Sequence, residues 1–137
     1  LTLFPYTTLF RSTVGDYQMF ANERDNKNYD IFVGGWFSDY NDPLDFLNVM
    51  KTGVYDSYGL YSNSEYDSLI DSLTGENDNA KRLEIYQKLE DLLVAQDCGV
   101  APLYYSDKHY YYQNWVKDFY TSSFGASQEL YRASVQK

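Results

Sequence analysis

Gly34-Gly35-Trp36-Phe37-Ser38-Asp39-Tyr40-Asn41-Asp42-Pro43 joins two segments of opposite character, and its reading decides the fold. Before it, residues 29–33 are apolar, β-branched and aromatic, the pattern of a buried strand continuing to Trp36. After it comes a helix start: Asp42 as N-cap, Pro43 at the first helical position and Asp45 in the first turn. Two glycines let a backbone come close to something else. Trp36 supplies a flat apolar wall and Asp39 a fixed negative charge. Together they suit a ligand with a cationic end and an apolar side group. The same residues also fit a plain strand-turn-helix corner, with Asp39 capping a turn and Trp36 in the core.

Working outward, residues 16–23 have helical spacing at Tyr17, Phe20 and Ala21, and residues 24–28 form a polar turn. The helix after Asp42 runs to about Met50, with Leu44, Phe46, Leu47 and Met50 on its apolar side. Residues 52–63 read as loop. Ser64 and Asp67 form a capping box that opens a helix to about Leu73, with Tyr66, Leu69, Ile70 and Leu73 on one face. Gly75 ends it. Asn77 or Asp78 then caps the longest helix, to about Gln96, with a stripe of Leu83, Tyr86, Leu89 and Leu93. Arg82 and Tyr86 read as part of this stripe and its solvated flank. Cys98 reads as a small buried hydrophobe after the helix. Strands are expected at 100–105, 110–116 and 128–135. Pro102 places the first at an edge or a crossing.

The 137 residues are enough for one core, and no apolar run is long enough to span a bilayer. Aromatic content is 19%, with 16 Tyr, more than such a core needs, so part of it belongs to half-exposed surfaces or a cleft. A net charge of −9 argues against nucleic acid as a partner. One Cys excludes an internal disulfide. No catalytic constellation is legible. His109 is the sole His and reads as a surface residue, no Cys/His cluster suits zinc, and Gly34-Gly35 precedes no phosphate-loop Lys. Asp39 and Asp42 are spaced like many acidic pairs, but Asp42 already has a capping role. No enzyme activity, cofactor or metal is expected.

Tyr29-Asp30-Ile31, then Gly35-Trp36-x-x-Asp39-Tyr40-x-Asp42-Pro43 and Phe46-Leu47, resemble the signature of the oligopeptide-binding proteins of bacterial ABC importers. The resemblance continues through Tyr66-Asp67-x-Leu69-Ile70, Arg82-x-x-x-Tyr86-x-x-x-Glu90-x-x-Leu93 and Val100-Ala101-Pro102-Leu103-Tyr104-Tyr105, in the family's order and near its spacing. It covers roughly residues 16–137 and belongs to the family's C-terminal part. The implied fold is α/β, the C-terminal part of a truncated two-lobed periplasmic-binding-protein-like fold. Residues 13–98 would form a C-terminal-lobe segment. Residues 99–137 would be crossover strands returning to a missing N-terminal lobe, leaving Tyr110, Tyr112, Trp115 and Phe119 exposed.

The resemblance also implies the function: an extracytoplasmic substrate-binding component capturing oligopeptides for import. Its partners would be the peptide and the ABC permease subunits, and its membrane association would come only through a missing N-terminal lipid anchor or the permease. Location would be the periplasm or a Gram-positive cell surface. By the family pattern Asp39 takes the ammonium of a peptide N-terminus. The backbone of Phe37 faces the ligand and Trp36 lines a side-chain pocket, with Ser38 and Tyr105 beside them. Tyr17, Arg24 and Ser106 fall at further family cleft positions, Tyr17 and Ser106 with a changed residue. Val33 replaces a basic position associated with short peptides. Two other readings stay open: the same fold binding a nickel chelate, a sugar or an opine-like compound, or an unrelated Tyr-rich carbohydrate-binding module.

The N-terminus resembles something different. Every residue from Thr2 to Ser12 agrees with the in-frame translation of a common sequencing adaptor. Residues 1–12 are therefore expected to be an artefactual scar on a truncated reading frame.

Overall fold

The computed structural model describes residues 14–54, 60–124 and 130–136. The expected scar at residues 1–12 lies outside them. By packing, the chain divides into two units, Leu1–Phe32 and Val33–Lys137.

In the first unit, α1 (Tyr17–Asp25) starts one residue later than the expected 16–23 and runs two residues into the expected turn. Asp16 caps it by accepting a hydrogen bond from Met19 N at 2.9 Å. No residue of α1 is buried. Phe32 packs on Phe20 and, edge-on, on Tyr29, with ring centroids 6.0 and 5.1 Å apart.

The second unit is built on three helices: α2 (Leu44–Asn48), α3 (Ser64–Ser72) and α4 (Asn79–Glu90). The start of α2 is one residue later than expected: Pro43 stands at the N-cap and Leu44 opens the helix, while Asp42, just before them, accepts from Leu44 N through Oδ1 at 2.9 Å. The α3 cap lies one residue earlier than the capping box suggests. Asn63 Oδ1 accepts from Glu65 N and Tyr66 N, so Ser64 is the first helical residue. Asp67 is thereby free to accept from Thr52 N at 3.0 Å, tying the preceding loop to α3. Gly75 leaves α3 at φ +82°, a conformation that costs a glycine little. Asp78 caps α4 through Ala80 N at 2.9 Å.

The long helix does not stay α-helical. From Asp91 to Gln96 it widens into a π-helix, closed by Asp97 N donating to Leu92 O at 2.9 Å. Leu89, Leu92 and Leu93, spaced i, i+3 and i+4 along one face, point inward and join Leu47, Tyr66, Ile70 and Leu73 in one core cluster. Leu44, Met50, Tyr61, Leu69, Ile85, Tyr86 and Val100 pack around it. Tyr66 is wholly buried and its hydroxyl donates to Leu47 O at 2.8 Å; burial drives its pKa upward. Two expected core residues face outward. Leu83 is 57% exposed because Ile85 and Tyr86 carry that turn of the stripe, and Phe46 is half exposed beside buried Leu47. Cys98 is also exposed. It holds the left-handed turn that ends the helix (φ 51°), which aims its side chain away from the core.

The expected strands are mostly absent among the described residues. The sheet there is a two-residue antiparallel ladder, β1 (Val116–Lys117) with β2 (Ser134–Val135), pairing Val116 with Val135. Residues 29–36 and 100–105 make no ladder. Strand propensity describes fit to a paired, half-buried surface, and these stretches have no such partner among the described residues. Ile31, Val33, Leu103, Tyr104 and Tyr105 stand exposed instead.

Candidate functional site

The corner 34–43 is fixed to the helical core by two carboxylates with different jobs. Asp45 is 8% exposed, and its Oδ2 accepts from Trp36 Nε1 at 3.0 Å and from Asp39 N at 2.9 Å. The first-turn acid of α2 therefore reaches back and holds the loop before its own helix. Asp42 works in the other direction. Its Oδ2 accepts from Arg82 at 2.7 Å and its Oδ1 from the Tyr86 hydroxyl at 2.5 Å, forty residues and more downstream. Arg82 also donates to Glu76 O at 3.1 Å and to the Tyr86 oxygen. This cluster clamps the corner onto α4.

Burial by itself would raise the Asp42 pKa. Hydrogen bonds from Tyr86 and Leu44 N and the charge of Arg82 outweigh it and hold the carboxyl below its ordinary value of 3.8. Burial and the Asp42 hydrogen bond push the Tyr86 hydroxyl up to about 12. Arg82 and Tyr86, read from sequence as stripe and solvated flank, are thus structural partners of the corner.

The expected binding residues fall out as follows. Asp39 is exposed. Its amide is held by Asp45, while its carboxylate has no partner among the described residues. Trp36 is half-buried and oriented through its indole N–H. Phe37 is 62% exposed, and its amide and carbonyl make no hydrogen bond among the described residues. Ser38 turns its hydroxyl inward to Tyr40 O. No atom stands within 4 Å of a Cβ built on Gly35, so the close approach that a glycine allows there is not used by this chain's described residues.

Tyr105 and Ser106 lie exposed on the extended segment after Gly99. Two residues further on, the Lys108 ammonium sits 4.5 Å from the centre of the Phe37 ring. That contact brings the segment to the corner. Tyr17 and Arg24 belong to the first unit, on α1, where Tyr17 is exposed and Arg24 pairs with Asp25 at 2.8 Å.

Sequence reasoning missed Asp45, the Asp42–Arg82–Tyr86 cluster and Lys108. Only Asp45 left a usable signal: an acid in a first turn, between Leu44 and Leu47. Among the described residues, no three His, Cys, Asp or Glu side chains are grouped to hold a metal ion. No described helix is long and apolar enough to cross a membrane.

No protein-family model matches the chain. It is similar to the periplasmic oligopeptide-binding protein OppA of Salmonella typhimurium, 30% identical over 101 residues, which is 74% of this chain and 18% of that protein. The oligopeptide-binding protein OppA of Bacillus subtilis is 30% identical over 105 residues, 75% of this chain and 18% of that protein. A probable deoxycholate-binding periplasmic protein of Escherichia coli, YgiS, is 34% identical over 70 residues, 51% of this chain and 13% of that protein. The fold is similar to the substrate-binding domain of an oligopeptide ABC transporter from Bacillus anthracis, TM-score 0.79 at 27% identity, covering 91% of this chain and 24% of that one. The pheromone receptor PrgZ, solved with its mode of peptide binding, matches with TM-score 0.73 at 27% identity over 91% of this chain and 24% of its own.

Over about three quarters of its length (75%) the chain is homologous to OppA-type peptide-binding proteins, and it spans about a fifth (18%) of those curated relatives. The fold, mixed helices with few strands, is part of a periplasmic-binding-protein-like substrate-binding domain. By name these relatives bind solutes; none is named an enzyme.

Proposed function

We propose that this chain is part of an extracytoplasmic substrate-binding component of an ABC peptide importer, and that its corner takes the N-terminal ammonium of an oligopeptide. The observation that carries this reading is the state of Asp39. Its backbone is fixed by Asp45, yet its carboxylate is unpaired among the described residues and faces outward. Two residues before it, the Phe37 amide and carbonyl make no hydrogen bond among the described residues. A peptide can pair with such a backbone as an added strand, which gives affinity without demanding particular side chains. A primary ammonium brought out of water needs a charged acceptor, and Asp39 supplies one. Trp36 then walls the first side-chain pocket, with Ser38, Tyr105 and Ser106 bordering the cleft.

The peptide-binding relatives support the same reading. On it, the protein works in the periplasm or on a Gram-positive cell surface, delivers to permease subunits, and uses no cofactor. Residues 1–12 are an artefactual scar, residues 13–98 belong to the C-terminal lobe, and residues 99–137 lead to the other lobe of a longer protein.

Calorimetry on the longer protein tests this. Asp39→Asn should weaken a free-amine tripeptide by about tenfold or more, since a hydrogen bond between charged groups is at stake. The N-acetylated peptide should bind weakly already and lose little. Equal affinity of both proteins for the free-amine peptide would sink the ammonium reading.

A second reading, a non-peptide solute, draws support from the similarity to the probable deoxycholate-binding protein. Deoxycholate carries a carboxylate, which an unpaired Asp39 would repel. Under that reading Asp39→Asn would strengthen deoxycholate binding.

A further inference from the structure

We propose that Asp45 is the positioning residue of the ligand corner: its buried carboxylate sets where Trp36 and Asp39 stand. The inference rests on the reading that this corner meets the ligand. Two donors, nine and six residues upstream, converge on the single oxygen Oδ2: the Trp36 indole N–H at 3.0 Å and the Asp39 amide at 2.9 Å. One is a side chain expected to wall a pocket. The other is the backbone of the residue expected to hold the ammonium.

Asp45 itself is well anchored. Its amide donates to Asp42 O at 3.1 Å, and the next turn of α2 places Leu47 in the core. Position therefore passes from the packed helices, through one carboxylate, to both ligand-facing groups. The arrangement also explains why the Asp39 carboxylate can stay without a partner among the described residues. Its main chain is held by a neighbour, so its side chain need not be spent on holding the turn. A binding group held in place before the ligand arrives loses less freedom on binding.

Asp45 and Asp42 divide the work of the corner. Asp42 is engaged by Leu44, Arg82 and Tyr86 rather than by Trp36 or Asp39. Removing Arg82 should loosen the fold without reaching Trp36. Removing the Asp45 acceptor should release Trp36 and the Asp39 amide together.

The test compares Asp45→Ala, Asp45→Leu and Asp45→Asn. Leu has no acceptor but fills the space, in case Ala loosens α2. Asn keeps an oxygen in place for both donors. The indole N–H signals of Trp36 and Trp115 are read by nuclear magnetic resonance on this chain, and the affinity for trialanine on the longer protein. Ala and Leu should move the Trp36 signal and speed its exchange, leave Trp115 unmoved, and weaken trialanine about tenfold. Asn should restore both to within about threefold. The proposal is overturned if Ala and Leu leave the Trp36 signal and the affinity unchanged, or if Asn is as weak as Leu. Asp39→Asn, measured in parallel, separates this from the ammonium reading. If it leaves trialanine binding unchanged while Asp45→Leu still moves Trp36 and lowers affinity, the positioning role stands and the ammonium reading falls.

Discussion

The helices between Leu44 and Gln96 and the chain after Gly99 are both rich in apolar residues, yet only the helices form a core. Leu47, Tyr66, Ile70, Leu73, Leu89, Leu92 and Leu93 close on one another with Tyr66 fully buried. After Gly99, Leu103, Tyr104, Tyr105, Tyr111, Tyr112, Trp115, Tyr120 and Tyr131 are exposed. Phe119 does gather Tyr110 and Tyr112, with ring centroids 6.1 and 5.0 Å apart, which leaves Tyr110 and Phe119 half-buried where exposure was expected, but none of the three is fully buried. The difference lies in where the partner for an apolar face comes from. A helix with a one-sided stripe finds its partner in the next helix along the chain. An extended aromatic segment needs a sheet to join, and the ladder among the described residues is two residue pairs long.

The comparison breaks most sharply at Leu89. Leu89→Ala should cost about 2–5 kcal/mol, as for other buried leucines. Tyr105→Ala, at a residue 99% exposed, should stay within about 0.5 kcal/mol. Urea denaturation of both variants checks it; similar losses would mean the aromatic segment packs as a core after all.

Next comes the clamp between Asp42 and α4. Arg82→Ala should destabilise by about 2 kcal/mol, because it strips partly buried acceptors of a charged donor. The pH dependence follows from Asp42. Its folded pKa lies below 3.8, so it contributes stability that is present above that value and is lost as pH falls through the lowered folded pKa. Asp42→Asn should be less stable than the parent at pH 7, and the gap should close in acid. A gap constant from pH 7 to pH 2 would remove Asp42 from the account.

The junction of the two regions is Gly99. A Cβ there would lie 2.6 Å from a Tyr61 ring carbon and 3.1 Å from Leu93 Cδ1. Tyr61 is not free to yield, since its hydroxyl donates to Asp97 at 2.8 Å. Gly99→Ala should therefore cost about 1–3 kcal/mol by overpacking, read as a lowered melting temperature. An unchanged melting temperature would show the junction to be loose.

The smallest effect is on stability but the plainest in outcome. Brief trypsin treatment should cut first after Lys108, in exposed extended chain, and spare the arginine and lysines of α4. Early cleavage at Lys81 or Lys88 would reverse the ranking of the two regions.

The sequence by itself determined where the helices lie and some of their ends. Asp78 and Gly75 act where local chemistry puts them, because a cap needs only an oxygen or a left-handed turn within three or four residues. It determined the face of α3, and it picked out the corner at 34–43 with Trp36 and Asp39. The tertiary structure decided what local pattern cannot carry. Whether 29–36 and 100–105 become strands depends on a partner elsewhere, and in this chain there is none among the described residues. Leu83 and Cys98 are outside because helix rotation, a π turn and a left-handed end set their direction. Asp45 gains its role from two donors that a loop folds back onto it, and Arg82 meets Asp42 across forty residues. Such long-range contacts are set by the packing of α2 against α4, and no spacing within either segment records them.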